Sequence, residues 1–251
     1  MAGHSKWANI KHRKARVDAQ KGKIFTKISK EIMAAVRQGG ADANNNFRLR
    51  LALQNGRSVN MPNDNIQRAI QKGVGDMGGA NFEEIVYEGY GPAGTAVLLE
   101  ILTDNRNRTV GEIRHILSRR GGTLGETGCV AWMFKRRGYL EVAKDGHDDD
   151  ELMMQALDAG AEDFEAMASA YEIYTSPENF ETVKGKLEAA GITFSEAAIT
   201  MIPENMVEVA SASGARKALS LIEALEDHDD VQNVYTNLDV PADVMQVLEN
   251  E

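Results

Sequence analysis

The sequence predicts a multidomain α+β protein: an N-terminal helical bundle followed by two α/β units of ferredoxin-like type, the second inserted in the first. Three observations predict it. Residues 1–72 hold 15 Lys and Arg against 4 acidic residues, and 73–251 hold 13 against 34, so a head of +11 precedes a body of −21. Apolar residues recur at helical spacing up to about residue 70 and at strand spacing beyond a glycine-rich stretch. From Tyr139 onward the patterns run β-α-β-β-α-β, the ferredoxin-like order. The expected boundaries are 1–78 for a basic helical domain, 79–134 with 204–251 for a discontinuous α/β domain, and 135–203 for the inserted one.

In the head, residues 1–23 have few large apolar side chains (Trp7, Ile10, Val17) among many cations, too few to bury a core unaided. Trp7 lies between Lys6 and Lys11 with His4 and His12 nearby. It offers a ring for a base to stack on, or it pins the arm to the helices behind; both readings stay open. Phe25, Ile28, Ile32 and Val36 then mark an amphipathic helix with Lys23, Lys27, Lys30 and Arg37 elsewhere on the wheel, stopped by Gly39-Gly40. A second helix is expected over 45–58, with Phe47, Leu49, Leu51 and Leu53 apolar and Arg48 and Arg50 exposed. A third starts near Pro62, which suits a first turn, and runs through Ile66, Ala69 and Ile70 to Gly73. Residues 73–80, with four glycines, read as a linker.

In the body, strands are expected over 84–88 and 95–102. The turn Gly89-Tyr90-Gly91-Pro92-Ala93-Gly94 matches G-x-G-x-x-G in letters, but a strand follows where a dinucleotide site needs a helix, so it reads as a hairpin connection. Asp104 to Arg108 leads into a helix with Thr109 and Glu112 as a capping box and Ile113, Ile116 and Leu117 as the buried stripe. Arg106 and Arg108 are expected on the preceding loop, as a second phosphate contact or paired with neighbouring acids; pairing is the favoured reading. A strand is expected over 129–134, making 84–134 a β-β-α-β unit. The inserted unit reads as strand 139–142, helix 148–159, strands 163–168 and 171–175, helix 177–190 and strand 193–201. Strand 206–210, helix 215–225 and strand 231–236 complete the discontinuous domain.

Catalytic and metal signatures are weak. His147 to Asp150 and Glu226 to Asp230 offer oxygen ligands, yet they read better as a helix start and a polar connection, so no metal is expected. The lone cysteine, Cys129, sits among apolar residues as an inert thiol, and it excludes an intramolecular disulfide. His115 has no Ser or Cys motif beside it, and no Walker loop, zinc spacing or nucleophile elbow occurs. No enzyme activity, cofactor or small-molecule substrate is expected. No apolar run approaches about 20 residues, so no membrane partner is expected either, and a cytoplasmic location follows from the single cysteine and the missing signal core.

What remains is the charge division. A clustered positive field attracts a phosphate backbone, and the candidate nucleic-acid contacts are Lys6, Trp7, Lys11, His12, Arg13, Lys14, Arg16, Lys21, Lys23 and Lys27, with Arg106 and Arg108 in the body. The opening Met-Ala-Gly-His-Ser-Lys-Trp-Ala-Asn-Ile-Lys-His-Arg-Lys, with 22–27, Asn-Met-Pro at 60–62, 65–70, Tyr-Glu-Gly-Tyr-Gly-Pro at 87–92 and 103–109, resembles the YebC family over essentially the whole chain. The resemblance implies a helical N-terminal domain, two α/β domains, and a cytoplasmic, non-enzymatic role. That family comprises probable DNA-binding transcriptional regulators. It also includes a mitochondrial translational activator of cytochrome c oxidase subunit one and bacterial members linked to relief of ribosome stalling at proline runs. The expected function is therefore a DNA-binding transcriptional regulator, with a ribosome- or RNA-binding translation factor as the alternative. Neither the target nor the oligomeric state is legible.

Overall fold

A computed structural model describes residues 21–75, 82–144, 146–167 and 169–249. The first three described helices, α1 (Lys21–Gly39), α2 (Phe47–Ser58) and α3 (Asn63–Val74), form a bundle around Ile32, Val36, Leu49, Ala52, Ile66 and Ala69. Gly40, at φ +82°, ends α1 with a left-handed turn that a Cβ would strain. Asn46 joins α1 to α2. Its side-chain oxygen caps Leu49 N at 3.0 Å while its amide donates to the carbonyls of Ala35 and Gly40.

Two expectations for the bundle need correction. The apolar positions 47, 49, 51 and 53 do not share a face, because alternate residues on a helix lie about 200° apart. The buried set is Leu49, Ala52 and Gly56, while Phe47 and Leu51 are exposed and Arg48 is half-buried. Gly73 belongs to α3 rather than a linker. A Cβ there would stand 2.8 Å from Val36 Cβ, so glycine lets α3 lie against α1.

The first sheet contains β1 (Glu83–Tyr90), β2 (Ala96–Thr103), β3 (Thr123–Leu124) and β9 (Val231–Thr236), in the order β3-β1-β2-β9 with antiparallel pairing throughout. The β1–β2 hairpin turns through a 3₁₀ turn at Pro92–Gly94. Helices α4 (Arg106–Arg119) and α7 (Ala212–Glu226) cover one face, setting Ile113, Leu117, Leu221 and Leu225 on Val97, Leu99 and Ile101. The expected strand over 129–134 is replaced by a turn and a 3₁₀ turn, Ala131–Met133. Its Val130 and Phe134 plug the sheet's other face beside Leu98 and Tyr235. The sheet's fourth strand comes instead from β9, more than a hundred residues away.

The second sheet, β4 (Phe134–Ala143), β5 (Asp163–Ala166), β6 (Ala170–Thr175) and β7 (Glu196–Pro203), has the antiparallel ferredoxin-like order β5-β6-β4-β7. Helices α5 (Asp149–Ala159) and α6 (Phe180–Ala189) cover one face around Leu140, Val142, Tyr171 and Ile173. Phe134 pairs with Pro203, so the first residue of β4 and the last of β7 bring the two ends of this unit together. The tail adds a short parallel pair, β8 (Val207–Glu208) with β10 (Leu238–Asp239), and α8 (Ala242–Glu249), whose Val244, Met245 and Leu248 pack on Leu219 and Ile222 of α7. Neither α8 nor β10 was expected from the sequence. No described helix is long and apolar enough to cross a membrane.

Candidate nucleic-acid interface

The candidate contacts Lys6, Trp7, Lys11, His12, Arg13, Lys14 and Arg16 lie outside the described residues. The other five are placed, and their environments differ. On α1, Lys23, Lys27 and Lys30 follow at four- and three-residue intervals, so they share one face, opposite the apolar stripe. That face meets the connection between α7 and β9. Lys23 pairs with Asp227 at 3.1 Å, the Lys27 ammonium donates to the Glu226 carbonyl at 2.5 Å, and Lys30 reaches Asp230 at 2.6 Å and the Asp229 carbonyl at 3.1 Å. Lys21 is exposed at the start of the helix. The acidic run Glu226 to Asp230 is thus the surface on which the basic head rests.

Asp230 is the centre of this contact, its side chain 2% exposed. One oxygen accepts from Lys30. The other accepts from Arg108 Nη2 at 2.7 Å and Thr109 Oγ1 at 2.7 Å, and Thr103 Oγ1 lies 3.3 Å away. Burial alone would raise this carboxyl, but the hydrogen bonds from Lys30, Arg108 and Thr109 outweigh it and hold the group well below the usual carboxylate range. The same bond raises Arg108 further above its ordinary value. A buried charge held this way needs every partner, since an unpaired one costs several kcal/mol.

The local sequence explains how Arg108 and Thr109 arrive there. Asn105 caps α4, accepting from Arg108 N at 3.1 Å, and this corrects the expected capping box at Thr109 and Glu112. Thr109 is released from capping and turns its hydroxyl to Asp230. Arg106 and Arg108 therefore lie in the first helical turn, not on a loop. Arg108 also pairs with Asp104 at 3.1 Å, whereas Arg106 is exposed and makes no ion pair among the described residues. Glu112 and His228, 2.9 Å apart, join Asp230 to give three ligand atoms within 4.8 Å of one another. Both Asp230 oxygens already face protein cations, which would repel a metal ion there. An open cleft of about 800 Å³ runs beside this contact, lined by Lys23, Lys30, Arg108, Glu112 and His115.

A second link joins the bundle to the first sheet. Arg48 forks onto Glu31, at 2.6 and 3.0 Å, and also bonds Glu84 of β1. Further outward cations of the bundle are on α2 and α3: Arg57, Arg68 and Lys72 are exposed and carry no ion pair among the described residues. Sequence reading passed over them because they are spread over two helices rather than clustered in the chain. It also passed over a basic segment inside the acidic body. Residues 106–137 hold 8 basic and 2 acidic residues, and Arg114, Arg119, Arg120, Lys135 and Arg136 are exposed there.

Residues 5–76 match the sequence profile described as the TACO1/YebC protein N-terminal domain, and 82–238 match that of the TACO1/YebC second and third domain. A probable transcriptional regulatory protein of Halothermothrix orenii is 55% identical, each chain covered in full. One from Pelotomaculum thermopropionicum is 56% identical over 96% of this chain and 99% of its own. The crystal structure of a conserved hypothetical protein from Aquifex aeolicus superposes with a TM-score of 0.78 at 44% identity, covering 90% of this chain and 93% of that one.

Proposed function

This chain belongs to the TACO1/YebC family, and from that premise we propose that it is a cytoplasmic, non-enzymatic, nucleic-acid-binding regulator of gene expression. It acts through its basic N-terminal part, as a DNA-binding transcriptional regulator. The observation that carries this reading is the charge division, +11 over residues 1–72 against −21 over the rest. The names of the relatives, probable transcriptional regulatory proteins, agree with it. The segment holding Lys6, Lys11, Arg13, Lys14 and Arg16, with Lys21 and the outward Arg57, Arg68 and Lys72, supplies phosphate contacts. We take the chain as three domains, 1–78, 79–134 with 204–251, and 135–203; the junction of Phe134 with Pro203 and the place of β9 in the first sheet support that division.

A second reading, an RNA- or ribosome-binding translation factor, is favoured by the docking of α1. Its lysine face rests on residues 226–230, which leaves it unavailable to lie in a major groove, the common route to reading duplex DNA. Two experiments test the proposal. Lys11→Ala, Arg13→Ala and Lys14→Ala together should weaken binding across all sequences and flatten the salt dependence by about 0.7–0.9 log units for each phosphate group no longer neutralised. Unchanged affinity would remove the arm from the mechanism. Sedimentation of native protein with cell lysate, with and without RNase, separates the readings. RNase-sensitive co-migration with ribosomal particles favours translation, and absence from those particles favours transcription.

A further inference from the structure

In the acidic body, two aromatic side chains stand exposed at one carbonyl. Tyr90, which ends β1, is 36% exposed, and Trp132, in the 3₁₀ turn before β4, is 65% exposed. The Tyr90 hydroxyl donates to the Cys129 carbonyl at 3.1 Å, and the Trp132 indole N–H donates to the same oxygen at 3.2 Å. Each ring thus has its polar end tied down and its apolar surface left to solvent. Tryptophan is on average a highly buried residue, so one this open beside a second exposed ring stands out.

The loop beneath is rigidly built. Glu88, 4% exposed, turns its carboxylate into the loop and accepts from Gly128 N at 2.6 Å, Val130 N at 2.8 Å and Ala131 N at 2.7 Å. Burial would raise this carboxyl, and the three backbone bonds lower it instead, so the anion is the form that holds the loop. Val130, fully buried, anchors the same turn in the core. The buried Glu88 charge gathers three backbone amides, and the turn they fix carries Trp132.

The surrounding charge names the ligand. Residues 106–137, which flank this turn, are the one strongly cationic segment of a body that is otherwise heavily acidic, with Arg119 and Arg120 before the turn and Lys135 and Arg136 after it, all exposed, although Lys135 pairs with Glu204 and Arg120 bonds the Ser220 hydroxyl. Aromatic rings fixed beside exposed cations recognise unpaired nucleobases on a phosphate backbone. We infer that Tyr90 and Trp132 form a base-stacking platform for a single-stranded stretch of nucleic acid, a second contact distinct from the basic head. This rests on the nucleic-acid reading above and adds to it a place for an unpaired base among the described residues.

The test uses the full chain and a dye-labelled oligoadenylate of about 12 nucleotides, as RNA and as DNA, with binding read by anisotropy. Trp132 is the sole tryptophan emitter in a Trp7→Phe background, since the chain has two tryptophans. Its emission should change on binding. Trp132→Ala should weaken binding roughly 5- to 150-fold with the salt slope unchanged, and Trp132→Phe should retain most of the affinity. Preference for the RNA or DNA probe identifies the source of the base. Saturable binding with silent Trp132 emission and an unaffected Trp132→Ala variant overturns the platform, leaves the nucleic-acid reading intact and turns the pair into a protein contact. No anisotropy change even at low salt overturns both.

Discussion

Asp230→Asn tests the central contact of the structure. The substitution keeps size and shape but removes the charge, and it replaces one oxygen by an amide that only donates. Lys30 is 2.6 Å from one oxygen, and Arg108 and Thr109 are each 2.7 Å from the other, so either orientation of the amide sets donor against donor. Breaking a buried ion pair costs about 3–5 kcal/mol. The Lys30 and Arg108 side chains are 18% and 43% exposed and can turn to water, so we expect the low end, about 3 kcal/mol. Urea unfolding followed by far-UV circular dichroism measures it. Because Asp230 joins the helical bundle to the first sheet, the variant should also split the transition, the bundle melting first. The pH dependence has a definite sign. The folded carboxyl titrates below its unfolded value of about 4, so the stabilisation is complete above that pH and fades as pH falls beneath it. The difference between wild type and variant should therefore shrink on acidification. A loss below about 0.5 kcal/mol at neutral pH would refute the reasoning, since that is the worth of a solvent-screened surface pair.

Three further substitutions, one of them a control, probe the packing and the platform loop. Glu88→Ala leaves the amides of Gly128, Val130 and Ala131 without their acceptor; with water reaching the more exposed of them, we expect a loss of about 3 kcal/mol, and amide exchange at those three positions should accelerate together. Exchange rates equal to wild type would show that Glu88 does not hold the loop. Gly73→Ala forces a Cβ to 2.8 Å from Val36 Cβ and 3.2 Å from the Met33 carbonyl, so overpacking should exceed the gain in helix propensity and lower stability by about 1–2 kcal/mol in a thermal melt. Gly111→Ala, in the middle of α4 with open space around it, is the control and should stabilise by up to about 1 kcal/mol. If both changes stabilise, the close approach of α3 to α1 is not tight.

The sequence by itself determined the elements whose signal is local. The spacing of Phe25, Ile28, Ile32 and Val36 defined α1, the alternating order of strands and helices from Tyr139 defined the ferredoxin-like unit, and β9 has the expected bounds, Val231–Thr236. Charge counting separated a basic head from an acidic body, because net charge needs no coordinates. Local patterns misled where a distant partner decides. Apolar letters at 129–134 looked like a strand, yet Val130 and Phe134 fill the far face of a sheet whose fourth strand is β9. Thr109 had the letters of a cap, yet Asp230 takes its hydroxyl from 121 residues away. Only the tertiary structure decided which lysines of α1 face inward, since Lys30 meets a carboxylate 200 residues later in the chain. The same holds for Tyr90 and Trp132, separated by the whole of α4 and brought to a single carbonyl by pairing of β1 with β3 and the anchoring of the 128–131 turn on Glu88. Periodicity records how each segment meets a core, but ion pairs and shared hydrogen-bond acceptors join segments that only folding makes neighbours.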